Sequence, residues 1–495
     1  MLKSSLLEIL RTFSKQELIK FEDFVRSPYF NKKENVLKLF LEIKKYSPEF
    51  SSEHLEKEKV WKALFSDKEY NYGIMKNLIH DLGKLCESFL SEEIYKDNEM
   101  QRSLDFLTSV FSRDIGGIFI NKIESTERSF RKNFETKNYV YAHGFYRQVG
   151  NILELKSNFF HVYSPQNKKQ NELKSVSEFL IYDFLLSCFR VFHKLMVHNL
   201  DLNLSPDSNI LFRLLKEMDD NSILRNIIDY SENSSTKDHI ILKSYYLMYK
   251  AFTASMSTDA YYEFKNFLFE NSSCFSRDEI KALHVSLLTC LTNLKTTTEK
   301  FYHEYFSIIQ MGFQSKFMLN KDGSITYQSF FSIVNVSLGA GEIKFVEDFI
   351  KNYKDKLPSN LRESMYYYSM AQLNFSKKNF DAALEFLSLI SDEPGFLKFS
   401  IKNIQLSIYY ELHDRVAFDY SFDSFKHFIK KNKLTNESRV LTLTQYSNYI
   451  KTLFKLREKS DSFELANLKK EITEKKVINK KWLLEKIEEL EIVNS

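Results

Sequence analysis

The sequence predicts an all-α fold, and the scarcity of turn residues is the first reason. The chain has only 11 glycines and 6 prolines in 495 residues, against roughly 7% and 5% in average proteins. Strands joined by hairpins need glycine-rich turns at short intervals, whereas helices need a break only every ten to twenty residues or so. Four prolines follow serine, and the residue before proline is disfavoured in a helix. The Ser-Pro steps that begin at Ser27, Ser47, Ser164 and Ser205 therefore predict helix ends.

An aromatic-rich amphipathic helix restarts five times between residues 260 and 420, and this ladder is the second reason. One helix pair cannot bury its own apolar side, so about three or more pairs must stack. The sequence therefore predicts an α-solenoid, an architecture that presents a surface and carries no built-in chemistry. The restarts are Tyr261, Tyr302, Ile343, Phe380 and Arg415, at separations of 41, 41, 37 and 35.

Helical spacing divides the chain into four predicted regions. Residues 1–100 form an N-terminal helical domain, residues 101–230 carry longer helices, residues 239–431 form the array of helix pairs, and the charged helices of 432–495 cap it. The polar run Ser231–Asp238 is the predicted linker. The predicted helices are 3–12, 15–26, 33–46, 55–65 and 73–95, then 118–136, 138–161, 172–199 and 207–217, then 239–255, 258–270, 277–294, 298–311, 326–339, 342–356, 361–377, 379–391, 396–412 and 414–431, and finally 436–457, 461–475 and 479–492.

Capping boxes predict several of the helix starts. In such a box a serine or threonine hydroxyl accepts a hydrogen bond from the backbone amide three residues later. The side chain of a glutamate at that later position accepts one from the backbone amide of the serine or threonine. The predicted boxes are Ser14 with Glu17, Ser175 with Glu178, Ser276 with Glu279, and Thr296 with Glu299.

The fourth helix pair resembles a tetratricopeptide repeat, in which small residues let two helices approach and a proline ends the second one. The resemblance is best over residues 326–395, and it implies a fold and a protein-binding habit but no substrate. Asn374 departs from it, because the family usually has an aromatic residue there, and Phe418 occupies the small position of the fifth pair. The residues that carry it are Tyr367, Ala371, Phe375, Asn379, Phe380, Ala383, Leu387 and Pro394, with Ile343, Val346, Ile350 and Pro358 in the third pair.

The N-terminal stretch has a weaker resemblance, which adds no function. The segment from Phe13 to Phe24, the run Ser27-Pro28-Tyr29-Phe30-Asn31 and the pair Leu39-Phe40 resemble the start of helical proteins from bacteria.

Charge and cysteine usage exclude several classes of protein. The net charge is +4 on 70 basic and 66 acidic residues, so no long-range field selects nucleic acid or a membrane as partner. The four cysteines form no C-x-x-C pair, which argues against zinc and disulfides. Buried thiols fit a reducing compartment, and residues Met1–Leu10 do not form a secretory signal. We therefore expect a cytoplasmic protein.

No motif for catalysis, metal or cofactor is found. The glycine pairs lack the context of a phosphate-binding loop, and no H-E-x-x-H is present. The run from Asn320 to Ile325 resembles half of a calcium loop, but Met318 and Ser329 stand where oxygen ligands are needed. We interpret it as an Asp-Gly turn, and we expect a protein that is not an enzyme.

The candidate binding residues follow from the tetratricopeptide resemblance. In related arrays the first helix of each pair lines the concave groove, where amide side chains would pair with a ligand backbone and aromatic side chains would anchor it. The expected function is a scaffold or adaptor that binds a protein or peptide. The candidate groove residues are Phe331, Asn335, Tyr368, Gln372, Asn403 and Ser407.

An alternative function is DNA binding by an element at residues 55–90. The runs Val60–Asp67 and Asn77–Leu85 resemble the helical part of winged-helix domains in bacterial regulators that also carry tetratricopeptide arrays. Against this, residues 1–100 hold 17 basic and 18 acidic residues, and no wing signal follows. The side chains that would read DNA are Lys76, Asn77, His80 and Lys84.

Overall fold

The structure is all-α. The computed structural model describes residues 4–136, 142–163, 170–202, 209–233, 235–254, 257–294, 298–314, 318–320, 322–391, 395–431, 437–475 and 477–494. Over these ranges the chain forms 24 α-helices and no strand, which confirms the prediction that the fold is all-α. No helix in this described part of the chain is long and apolar enough to cross a membrane.

The chain divides into two compact units. The first contains Met1–Lys132 and Arg147–Ser177, and the second contains Asn133–Tyr146 and Glu178–Ser495. The polar run predicted as a linker, Ser231–Asp238, falls within the second unit.

The first unit is built on an aromatic core. Phe21 is fully buried and contacts the rings of Phe13, Phe40 and Phe89 at centroid distances of 4.9 to 5.6 Å. The capping box of α2 is confirmed, since the Glu17 amide donates to Ser14 Oγ and the Ser14 amide donates to the Glu17 carboxylate. The helices are α1 (Ser5–Leu10), α2 (Lys15–Arg26), α3 (Glu34–Lys44), α4 (Lys57–Leu64), α5 (Tyr72–Asp97), α6 (Glu99–Ser112), α7 (Gly116–Thr136), α8 (Ala142–Tyr163) and the start of α9 (Gln170–Leu202).

The second unit contains the array of helix pairs. The restarts predicted at Ile343, Phe380 and Arg415 are the first residues of three of its helices, while Tyr261 and Tyr302 lie in the first turn or so of two others. Its remaining helices are α10 (Ile210–Asp220), α11 (Ile223–Glu232), α12 (Thr236–Thr253), α13 (Thr258–Glu270), α14 (Arg277–Asn293), α15 (Thr298–Gln314), α16 (Tyr327–Gly339), α17 (Ile343–Tyr353), α18 (Arg362–Ser376), α19 (Phe380–Ser388), α20 (Gly395–Glu411), α21 (Arg415–Lys431), α22 (Glu437–Glu458), α23 (Ser462–Glu474) and α24 (Lys480–Asn494).

Some sequence predictions are corrected. Ser175 lies inside α9, which begins at Gln170, so the helix start predicted there is wrong. Helices α6 and α11 were not predicted, although α6 has an Asn98 cap and buried residues at helical spacing. The breaks predicted at Ser164-Pro165 and Ser205-Pro206, the cap at Thr296 and the helix end at Pro394 lie outside the described residues.

Three successive helix pairs share the same turn. A residue in the left-handed region follows α16, α18 and α20, namely Gly341, Lys378 and His413, with φ of 82°, 62° and 59°. After each, the next backbone amide donates to a carbonyl five residues earlier, as in Asn379 to Asn374. This pattern ends helices by satisfying carbonyls that have no partner within the helix. The turn therefore repeats at spacings of 37 and 35 residues, matching the predicted ladder.

Neighbouring pairs bury each other's apolar faces. The first helices of consecutive pairs pack side by side, as α16 does with α18, α18 with α20, α20 with α22 and α22 with α24. Helix α20 contributes Ile404 and Ile408 to one apolar cluster and Leu406 and Tyr410 to the next. Because its two faces belong to two clusters, α20 joins the apolar cluster of residues 309–408 to that of residues 399–490.

Candidate functional site

A cavity of about 650 Å³ lies between helices of the second unit. Its walls come from α15, α16, α18, α20 and the residues 477–485 that lead into and begin α24. We call this cavity the chamber. Its volume is within the range of about 300–1,000 Å³ that is typical of sites enclosing a small ligand.

The chamber wall follows the four-residue spacing of the helices. Residues four apart in an α-helix lie on one face, and each of the three central helices presents such a row. The rows are Phe331, Asn335 and Gly339 on α16, Tyr368, Gln372 and Ser376 on α18, and Asn403 and Glu411 on α20. Five of the six predicted groove residues therefore lie together. Gly339, Ser376 and Glu411 were missed, although extending the predicted rows by one turn would have found them.

Aromatic rings form one part of the wall. Phe331 and Tyr368 stack with ring centroids 5.5 Å apart and planes 14° from parallel. Gln372 Nε2 donates a hydrogen bond to the Tyr368 hydroxyl. Burial raises the pKa of Tyr368 to about 12, so the phenol stays protonated near neutral pH and serves as a hydrogen-bonding group.

Asn403 is the unusual residue of the wall. Its side chain is only 8% exposed, and its Oδ1 is buried without a hydrogen-bond partner among the described residues. Leaving a buried acceptor unsatisfied costs about 1–3 kcal/mol. An apolar side chain of similar size would avoid that cost, so the carboxamide is not explained by packing.

Ser407, the sixth predicted residue, does not line the chamber. It is fully buried, and its hydroxyl hydrogen-bonds to the hydroxyl of Tyr446 on α22. Asn479 Nδ2 donates to the same Tyr446 oxygen at 3.1 Å. Ser407 therefore lies behind the wall, because α22 packs over the position that the four-residue spacing assigns to the groove.

Residues 477–485 form a further part of the wall, which the sequence did not predict. Trp482 donates from Nε1 to Glu411 Oε1 at 2.7 Å. Lys486, only 2% exposed, contacts the same oxygen at 2.9 Å. Burial alone would lower the pKa of Lys486, but its hydrogen bonds to Glu489 and Glu411 outweigh burial and raise it. Some of the charged side chains of the predicted cap, residues 432–495, are therefore paired in the interior of the second unit, as Lys486 is with Glu411.

Gly339 allows the close approach of an aromatic ring to α16. A Cβ atom at this position would lie 2.3 Å from Tyr302 Cε1, far below van der Waals contact. Tyr302 is itself part of the chamber lining. The glycine therefore sets how close α15 and α16 come at one corner of the chamber.

The residues of the DNA-binding alternative are exposed on one face of α5. Lys76, His80 and Lys84 follow at four-residue spacing, with Asn77 beside the first. Helix α4 packs on α3, and no strand that would serve as a wing occurs in the described residues. DNA binding stays a prediction, and salt-sensitive duplex binding in a gel-shift titration would support it.

The segment around Asp322 forms the expected turn, with Gly323 at φ 79° and its amide donating to the Asn320 carbonyl at 3.0 Å. Among the described residues, no group of three or more histidine, cysteine, aspartate or glutamate side chains is placed to hold a metal ion. Burial raises the pKa of the Cys86 thiol to about 12.

Comparisons with protein-family models, curated proteins and solved structures give no match to this chain. The function must therefore be argued from the geometry of the chamber.

Proposed function

We propose that this chain is a non-enzymatic binding protein whose helix pairs form a tetratricopeptide-like α-solenoid, and that the chamber takes up a short peptide segment. The single observation that carries the proposal is Asn403, a buried carboxamide with an unsatisfied oxygen on the chamber wall. A ligand N–H donor would satisfy it. Buried free thiols such as Cys86 and Cys290 support a cytoplasmic location for this function.

The chemistry of the wall favours a peptide over a charged ligand. Asn335, Gln372 and Asn403 each offer both a donor and an acceptor, which matches the alternating N–H and C=O groups of a peptide backbone. The stacked rings of Phe331 and Tyr368 suit an apolar side chain. The two carboxylates of the wall are already paired, Glu411 with Lys486 and Glu485 with Lys378.

The size of the chamber limits the ligand to a short segment. A cavity of about 650 Å³ does not admit a folded domain, and residues 477–485 cross its side. An array that docked whole proteins would instead leave the inner helices open along their length.

The Tyr368 hydroxyl of the wall is suited to hydrogen bonding rather than to proton transfer. Burial raises the pKa of Tyr368 to about 12, away from neutral pH. A general acid or base works best with a pKa near the operating pH.

The test is a binding measurement with a library of N-acetylated, C-amidated pentapeptides. Replacing Asn335, Gln372 and Asn403 together by alanine should weaken binding of the selected peptides by about 2–4 kcal/mol, or roughly 30- to 1,000-fold in Kd. The reason is that each hydrogen bond contributes about 0.5–1.5 kcal/mol. Circular dichroism should show unchanged helicity.

A matched control removes three exposed carboxamides outside the chamber lining. Asn266, Asn448 and Asn467 are exposed residues of the same unit, and their replacement by alanine should leave peptide binding intact. Loss of helicity in the chamber variant, or equal binding by both variants, would refute the assignment.

A further inference from the structure

A second cavity lies between α14, α15 and α16, and we call it the apolar cleft. Its volume is about 310 Å³, and it is open to solvent on one side. Its walls are mainly apolar, with Leu288 from α14, Tyr305 and Ile309 from α15, and Ile333 from α16. Its described lining residues are all different from those of the chamber. The cleft is therefore a separate cavity of the second unit.

The cleft lies at an exception in the packing of the array. The first helices of other neighbouring pairs pack side by side, as α12 does with α14 and α16 with α18. Over the described residues α14 and α16 do not pack closely in this way, and α15 packs against both. The apolar cluster of residues 309–408 accordingly includes no described residue of α14. Since helix pairs are stabilised by covering each other's apolar faces, this joint leaves apolar surface available to a ligand.

The polar side chains of α14 in the cleft already have hydrogen-bond partners in their own helix. Thr289 Oγ1 donates to the Val285 carbonyl at 2.8 Å, and Thr292 Oγ1 donates to the Thr289 carbonyl at 2.7 Å. His284 Nδ1 donates to the Ile280 carbonyl at 2.8 Å. Burial lowers the pKa of His284 to about 4, so its ring is neutral near neutral pH. These groups therefore add no charge to the cleft.

Lys281 supplies the charge of the described lining. It lies in the second turn of α14, and its Nζ donates to Asn320 Oδ1 at 3.3 Å. In the described part of the chain, no carboxylate oxygen lies within 4 Å of this ammonium group. A half-buried lysine without a counter-ion is suited to a charge-assisted hydrogen bond with an anion. From Lys281 the lining extends along α14 to Thr292, about 16 Å of helix.

We propose that the apolar cleft binds a medium-chain fatty acid, with its hydrocarbon chain between α14 and α16 and its carboxylate against Lys281. The volume is suitable, since an apolar cavity of about 150 Å³ holds the six carbons of benzene. By the same ratio, about 310 Å³ holds about twelve carbons. The inference goes beyond the proposed function and does not rest on it, because the two cavities have different linings.

The test is isothermal titration calorimetry of the full chain with dodecanoate, below the concentration at which it forms micelles. We expect saturable binding at one site. Dodecyltrimethylammonium has the same hydrocarbon chain and the opposite charge. It should bind at least about tenfold more weakly, because the ammonium of Lys281 attracts a carboxylate and repels a second cation.

The variant Lys281→Met removes the charge and keeps an apolar side chain of similar length. It should weaken dodecanoate binding by about 10- to 100-fold, the range expected for a lost hydrogen bond between charged groups. Binding of dodecyltrimethylammonium should not weaken. The control Lys344→Met makes the same charge change at an exposed lysine of α17 outside the cleft lining, and it should bind dodecanoate as the parent does.

The variant Val285→Trp tests the location of the site. Val285 lines the cleft and is 39% exposed, so a larger side chain has room to enter the cleft without displacing the core. It should weaken both amphiphiles by about tenfold or more, because the indole occupies the volume that the hydrocarbon chain needs. The control Val416→Trp adds the same side chain at an 83% exposed position on α21 and should change neither affinity.

Three results would overturn the proposal. The first is the absence of saturable dodecanoate binding, and the second is equal binding of the two amphiphiles by the parent, which would indicate a general apolar surface. The third is unchanged dodecanoate affinity in Lys281→Met when circular dichroism shows that this variant is folded. Loss of affinity in Lys281→Met but not in Lys344→Met supports the proposal, whether or not Val285→Trp folds.

Discussion

Gly339→Ala offers a sharp test of how the corner of the chamber is packed. The added Cβ would lie 2.3, 2.4 and 2.7 Å from three atoms of the Tyr302 ring, so the ring or the end of α16 must shift by about 1 Å or more. Overpacking of this kind lowers the free energy of unfolding by about 1–3 kcal/mol. Alanine in place of glycine in a helix raises it by up to about 1 kcal/mol. We therefore expect Gly339→Ala to lower the free energy of unfolding by about 1–2 kcal/mol.

Gly83→Ala is the control, because its expected effect on stability is opposite to that of Gly339→Ala. Gly83 lies inside α5, and nothing lies within 4 Å of a Cβ built there, so Gly83→Ala should stabilise its helix by about 0.5–1 kcal/mol. Hydrogen exchange of the backbone amides in α16 and in α5 measures the stability of each unit separately. In a Tyr302→Ala background the cost of Gly339→Ala should vanish, since the two residues are coupled. A stabilising Gly339→Ala in the parent would refute the packing argument.

Two further predictions concern buried ionisable groups. Burial lowers the pKa of His284 from 6.5 to about 4, so stability is full above about pH 6.5 and should fall by about 2 kcal/mol on acidification to pH 5. Chemical denaturation should show that loss in the parent and in exposed His80→Gln, but not in His284→Gln. Lys156, whose side chain is 9% exposed, lies 2.8 Å from Glu127 and 2.9 Å from Glu172. Lys156→Met should cost about 3–5 kcal/mol at neutral pH, and the loss should shrink in acid as the facing carboxylates protonate; a loss independent of pH would contradict this.

Local structure was largely predictable from the sequence, because it depends on residues close in the chain. Helix α13 has the predicted ends, Thr258 and Glu270, and α2 has the predicted cap at Ser14. The prediction that a helix starts at Ser175 was wrong for a reason that is also local. A serine and a glutamate at capping spacing occur equally well on the surface of a helix that has already begun.

The chamber could be predicted only in part, because its two sides come together through contacts that no short pattern encodes. The rows on α16 and α18 follow from four-residue spacing. Spacing alone also placed Ser407 in the groove, but it cannot show that Tyr446 covers it. The contact of Lys481 with Gly339 joins residues 142 apart, and the charge of the last helices suggested a solvated surface instead.

Polar side chains of α20 differ in whether they find a hydrogen-bond partner. Behind the wall, the hydroxyls of Ser407 and Tyr446 are hydrogen-bonded to each other, and Asn479 of the wall donates to the same Tyr446 oxygen. On the wall, Asn403 Oδ1 is buried without a partner in the described part of the chain. Local rules of this kind are broken mainly where function requires it, which is why we propose that this side of α20 faces the ligand.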